Sequence, residues 1–191
     1  MIKVNFPYWG PLLFKTSINK VQINQLNNLC LKNKVKNNKA TVAHIEEQYQ
    51  INNIKFQEIL KPQLLAFNET YHQYYLKKIN RLNATTVWVN FMKKGEFNPL
   101  HIHGNCNFSS VLYLKIPKKI KEENKKFIGK GAGPGAIEFF YGEENENVVS
   151  YFSHFPEEGD FFIFPKILKH MVNPFKSDVT RVSIAANFKS L

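Results

Sequence analysis
The sequence predicts a mainly β domain, a sandwich or barrel, preceded by helices: α+β in class. Three observations predict it. From residue 85 the apolar pattern takes a period of two, in at least six short runs divided by polar turns. Between residues 18 and 80 the apolar positions instead recur in steps of three and four, with few Gly or Pro. The chain also carries 17 Phe and 8 Tyr, and flat rings suit the space between facing sheets. A length of 191 residues fits one structural unit. Residues 1–84 are expected to be a helical extension bracing the sheet, and residues 85–191 the β core.

The helices come first. Val21, Ile23, Leu26 and Leu29 mark one apolar face, and Phe56, Leu60, Leu64, Phe67, Tyr71 and Tyr75 a second. Pro62 lies inside the second run, where it starts or kinks the helix. Tyr71, Tyr74 and Tyr75 read as core packing. His44 and His72 have no metal-like neighbours in the sequence and read as ordinary packing or surface histidines. Strands are then expected over 86–91, 109–115, 136–140, 148–152, 161–164 and 182–186, with turns at Lys94-Gly95, Gly129 to Gly135, Glu158-Gly159-Asp160 and Asn173-Pro174. The Lys- and Gly-rich connection 116–135 is the longest, a length that goes with a mobile or functional loop, and its lysine-rich part, 116–130, reads as a lid or as a surface steering an acidic substrate.

Composition narrows the classes. Apolar residues make up 43% of the chain, enough for a real core. No apolar run reaches the ~18–20 residues of a membrane span. Pro7, Gly10 and Pro11 break the only apolar stretch near the N-terminus, so no signal peptide is expected. Cys30 and Cys106 make no disulfide framework and read as reduced, buried residues. These points together predict a cytoplasmic protein. The net charge of +11 raises a nucleic-acid partner. The Lys-dense stretches, 32–39 and 115–130, lack the interleaved aromatics of a base-stacking surface, so a solvated surface is the favoured reading.

The chemistry lies in three segments. In Asn98-Pro99-Leu100-His101-Ile102-His103-Gly104, two histidines one residue apart on a strand project to the same side, the spacing two ligands need to meet one metal. Alone, that pair is weak. Further on, Gly159-Asp160 makes a turn, Phe161 to Phe164 an apolar strand, Pro165 ends it, and His170 follows. A third histidine at the rim of a β domain completes a three-ligand site with open positions opposite. Eleven residues later, Arg181 and Ser183 lie two apart on a strand, and a guanidinium beside a hydroxyl suits a carboxylate.

In this order the segments resemble the iron(II)- and 2-oxoglutarate-dependent oxygenases, which use a His-x-Asp/Glu pair, a distant His and an Arg-x-Ser pair. The resemblance is nearest to a group of small oxygenases of bacteria and their phages that carry H-x-H where H-x-D is usual. It also takes in Ser110 to Leu114, Arg181 to Asn187 and the opening Pro7-Tyr8-Trp9-Gly10-Pro11, and is strongest from 86 to 188. It implies a double-stranded β-helix (jelly roll, cupin-like). It also implies an enzyme that couples decarboxylation of 2-oxoglutarate, releasing succinate and CO2, to hydroxylation of a small-molecule or peptidyl substrate. Fe(II), 2-oxoglutarate and O2 would be required. His101, His103 and His170 would hold the metal, Arg181 and Ser183 the far carboxylate of 2-oxoglutarate. Tyr113 and Asn90 would be polar wall residues beside it. Asn187, ending the last strand, is placed to orient a ligand histidine. No catalytic residue is expected outside the metal site. His154 reads as a rim residue. His103 departs from the usual pattern. It either replaces the carboxylate ligand, leaving the site one charge more positive, or stands back as a substrate-side group with water in its place. Two other readings stay open: a cupin-like three-histidine dioxygenase or isomerase that needs no 2-oxoglutarate, and a non-catalytic jelly-roll binding module. The N-terminal helices also offer a surface for a homodimer.

Overall fold
The computed structural model describes residues 10–32, 35–36, 42–143 and 145–191, so Pro7, Tyr8, Trp9 and most of the basic stretch 32–39 lie outside the described residues. The chain opens with β1 (Phe14–Ser17), α1 (Lys20–Lys32), β2 (Val35–Lys36), β3 (Glu47–Gln50), α2 (Asn53–Ile59) and α3 (Lys61–Tyr75). It continues through β4 (Leu82–Met92), β5 (Asn98–His101), β6 (Phe108–Lys115), α4 (Lys118–Lys125), β7 (Ile137–Phe140), β8 (Tyr151–His154), β9 (Asp160–Pro165), β10 (Lys169–Val172) and β11 (Arg181–Ser190).

Local signals set the helices. Asn19 and Gln22 cap α1 reciprocally: Gln22 N donates to Asn19 Oδ1 at 3.0 Å, and Asn19 N to Gln22 Oε1 at 3.2 Å. Asn52 accepts from Lys55 N to start α2. Pro62 sits in the first turn of α3, where its missing N–H costs nothing, and α3 ends at Leu76 with φ 55°.

The strands form two sheets, each antiparallel throughout. The larger has the order β1-β9-β6-β11-β4-β3-β2, the smaller β5-β10-β7-β8. Strand alternation splits the larger sheet's side chains between two cores. Phe161, Ile163, Leu112, Val87 and Ile184 face the helices, packing with Leu26, Phe56, Leu64 and Phe67. Phe162, Phe164, Tyr113 and Met92 face the smaller sheet, packing with Ile137, Phe139, Leu168 and Val172. Burying a side chain such as Phe67 or Phe161 contributes about 1.5–3 kcal/mol, and this area fixes the helices to the sheet.

Three elements differ from the sequence reading. The stretch 1–84 is not only helical. It supplies β1, which pairs with β9, and β3, which pairs with β4. The run expected over 148–152 forms a strand only over Tyr151–His154. Val148 N turns back to Asn145 O, and Val149 is 93% exposed, so apolar character there does not report burial. The Lys-rich connection contains α4, and it is tied down. Ile120 is fully buried. Asn124 Nδ2 donates to Ala132 O and Pro134 O, and Glu123 accepts from Lys176 N and Ser177 N.

Candidate functional site
The site begins with an irregularity. β5 is an edge strand, which is where Pro99, lacking an N–H, is tolerated. Its pairing with β10 runs His170↔His101 and then Val172↔Asn98, one residue more on β5 than on β10. This bulge bends the edge and sets His101 directly opposite His170. The chain leaves the strand after His101. The segment behind it is clamped by two main-chain bonds, His103 N to Lys166 O at 2.9 Å and Lys166 N to Asn107 O at 3.0 Å.

One donor atom from each of His101, His103 and His170 lies within 4.8 Å of the others. His103 Nε2 and His170 Nε2 are 3.2 Å apart. Two nitrogens about 2.1 Å from one ion at right angles are separated by about 3 Å, so a metal ion fits between them. Two of the ring states follow from hydrogen bonds. His101 Nδ1 lies 2.7 Å from Pro99 O, and His170 Nδ1 lies 2.9 Å from Leu168 O. A carbonyl only accepts, so each Nδ1 carries the proton and each Nε2 keeps its lone pair for the centre. Burial disfavours the imidazolium form of all three. It lowers His101, and takes His103 to about 4 and His170 to about 3, the neighbouring histidines adding to the last two shifts. All three rings are therefore neutral at pH 7 and fit a metal as donors. Cys106 is buried but is not part of this group.

Between the sheets lies a cavity of about 460 Å³, walled by the three histidines, Trp88, Asn90, Arg181 and Ser183 among others. Arg181 is 1% exposed. Its Nη1 donates to Gly135 O at 3.0 Å, and its Nη2 lies 2.9 Å from Met92 Sδ. Its Nε has no partner, and neither does the Tyr113 hydroxyl, whose ring lies 5.5 Å from the guanidinium carbon. Among the described residues no carboxylate pairs with Arg181. A buried guanidinium without a counter-charge is costly, and a bound carboxylate relieves that cost. Burial lowers the Arg181 pKa, yet arginine stays protonated. Burial pushes the Tyr113 hydroxyl up to about 12, so it remains a neutral donor.

The sequence-predicted residues therefore divide. The three histidines converge, and Arg181, Ser183 and Asn90 wall the same cavity. Tyr113, the strand partner of Ser183, sits against Arg181 with its hydroxyl buried and unpaired. Asn187 reaches the cavity, but its Oδ1 is buried without a partner. The rings of His101 and His170 are oriented instead by main-chain carbonyls. His154 lies outside the cavity and hydrogen-bonds Asp160 at 2.7 Å. Sequence reasoning missed Gln48, Trp88 and Thr86 as wall residues. Thr86 and Trp88 lie four and two residues before Asn90 on β4, so strand alternation was a signal for both, whereas Gln48 is placed only by its register opposite Asn90.

Comparison with known proteins agrees with this geometry. A family model described as "Putative 2OG-Fe(II) oxygenase" matches residues 86–187. No curated protein matches the chain. Among solved structures, it is similar to the viral collagen prolyl hydroxylase vCPH from Paramecium Bursaria Chlorella virus-1, in a 2OG complex (TM-score 0.58, 14% identity, 94% of this chain and 96% of that). It is also similar to a Pseudomonas putida prolyl-4-hydroxylase (0.59, 14%, 93% and 91%). A third likeness is to HygX from Streptomyces hygroscopicus with nickel and 2-oxoglutarate bound (0.57, 10%, 93% and 82%). At these identities the likeness establishes the fold, a double-stranded β-helix.

Proposed function
Since the chain belongs to the 2OG-Fe(II) oxygenase family, an oxidoreductase family using Fe(II), 2-oxoglutarate and O2, we propose that His101, His103 and His170 hold its iron. In this reading Arg181 and Ser183 receive the far carboxylate of 2-oxoglutarate, with Asn90 beside them and the Tyr113 hydroxyl in support. The buried Arg181 without an acidic partner carries the assignment, because it supplies a reason for a dicarboxylate in the cavity.

Iron with 2-oxoglutarate supplies the oxidation: O2 is reduced, 2-oxoglutarate becomes succinate and CO2, and one oxygen atom enters the substrate as a hydroxyl. The chain's own residues do the rest. Pro99 O and Leu168 O fix two imidazoles with Nε2 inward. Arg181, buried in the cavity wall, anchors the far carboxylate of the cosubstrate. Phe164, packed against His170 and His103, helps exclude water. Trp88, with its ring 6.5 Å from that of His103, walls the substrate side. The substrate is a small molecule or a peptidyl side chain.

His103 acts as the third ligand in place of a carboxylate, which its Nε2 position next to His170 Nε2 supports. Residues 1–84 and 85–191 form one unit, because β1 and β3 continue the larger sheet. The free, buried thiols of Cys30 and Cys106 support a reducing, cytoplasmic setting, and no described helix is long and apolar enough to cross a membrane.

Anaerobic addition of Fe(II) and then 2-oxoglutarate tests this reading. A visible charge-transfer band that needs both, and that weakens in Arg181→Ala and His170→Ala, is expected. Iron binding without a band, and no effect of Arg181→Ala, would favour a three-histidine enzyme that needs no 2-oxoglutarate.

A further inference from the structure
Four polar side chains lie in one row across the larger sheet. Gln48 on β3 pairs with Asn90 on β4, Asn90 with Ser183 on β11, and Ser183 with Tyr113 on β6. Gln48 and Asn90 are buried, at 5% and 4% exposure, and both wall the cavity. Gln48 Nε2 donates to Asn90 Oδ1 at 2.6 Å. With its oxygen so engaged, the Asn90 amide has its NH2 group left to donate, and Asn90 walls the cavity as the strand partner of Ser183. An anion at that place needs donors, and this NH2 group is one.

We infer that Gln48 is a positioning residue for the cosubstrate: by holding the Asn90 oxygen, it aims the Asn90 Nδ2 at the far carboxylate of 2-oxoglutarate. The inference rests on the reading that this carboxylate sits against Arg181 and Ser183. It gives the N-terminal part of the chain a role in binding as well as in bracing. The chemistry also dictates a sign. In Gln48→Glu a carboxylate replaces the donor. It would accept from Asn90 Nδ2, turning the amide and presenting Asn90 Oδ1 to the ligand.

The test is anaerobic titration of the iron-loaded protein with 2-oxoglutarate and, separately, with 2-oxopentanoate, which lacks the far carboxylate. Gln48→Leu is expected to weaken 2-oxoglutarate binding about tenfold, as loss of one hydrogen bond to a charged group does. Gln48→Glu should weaken it further. Both should leave iron affinity and 2-oxopentanoate binding unchanged. The double variant Gln48→Leu/Asn90→Ala should be no weaker than Asn90→Ala, because Gln48 acts through Asn90. Equal loss for both ligands, additive losses in the double variant, or parental affinity in Gln48→Leu would overturn the inference. Arg181→Ala, run beside them, separates the two claims. If it leaves 2-oxoglutarate binding intact, the underlying reading fails; if it abolishes binding while Gln48→Leu does nothing, only the role of Gln48 fails.

Discussion

His101 and His170 are direct partners across the β5–β10 pair, with ring centroids 4.2 Å apart. They meet because β5 carries one extra residue before His101. Their separation is therefore a property of the backbone pairing, and His103 is brought to them by a loop clamped at Lys166.

From this pairing follows a difference among the ligands. His170→Ala removes the most buried donor, and stoichiometric iron binding should be lost. His103→Asp should keep iron and hold it more tightly, because a carboxylate offsets one metal charge that imidazole leaves uncompensated. Competition with a chelator measures both, and iron loss in His103→Asp would show that the site is built for imidazole alone.

Arg181→Met should separate stability from binding. The guanidinium is buried with no acidic partner among the described residues, so an apolar side chain of similar length should leave the stability of the ligand-free protein unchanged or raise it. Affinity for 2-oxoglutarate should fall by roughly 100-fold or more, since the charged contact is gone. Thermal melts with cosubstrate titrations check the pair of outcomes.

Acid should weaken the metal-free protein before its carboxylates titrate. His103 and His170 are lowered from 6.5 to about 4 and about 3 by burial. Below pH 6.5 the unfolded chain takes up protons that the folded chain refuses, so stability falls as pH falls and is fully present above that value. Denaturant midpoints should decline between pH 7 and pH 5. His170→Leu should show a smaller decline over the same window, and an equal decline would assign the effect elsewhere.

Gly159→Ala should destabilise without touching the site. Its φ is +93°, and an added Cβ would lie 2.9 Å from Ile18 O. Strain of this kind costs about 2 kcal/mol. Urea unfolding should show that loss with iron affinity unchanged once the variant is folded.

The strands β6, β9 and β11 were legible because burial on both faces leaves near-continuous apolar runs, such as Phe161 to Phe164, rather than alternation. The histidine pair was legible by type and spacing, but His103 lies past the end of β5 and reaches the centre from a loop. Arg181 and Ser183 were legible because spacing on a strand translates into direction. β1 and β3 were not, since a four-residue strand such as Glu47–Gln50 carries no alternation strong enough to see. Gln48 was hidden for the same reason: its place beside Asn90 depends on strand register, which no local pattern encodes. α4 was hidden in the lysine-rich segment because only Ile120 of its eight residues is buried. The partners of the histidine rings were hidden because they are peptide carbonyls, and every residue has one.

That last point bears on how such a centre changes over time. Each of His101 and His170 takes its proton-bearing contact from the carbonyl two positions upstream, Pro99 and Leu168. A side-chain replacement at either upstream position leaves the oxygen in place. Tautomer and ring direction are thus carried by chain path rather than by any particular side chain. The surrounding wall can drift toward new substrates while the two imidazoles keep their aim.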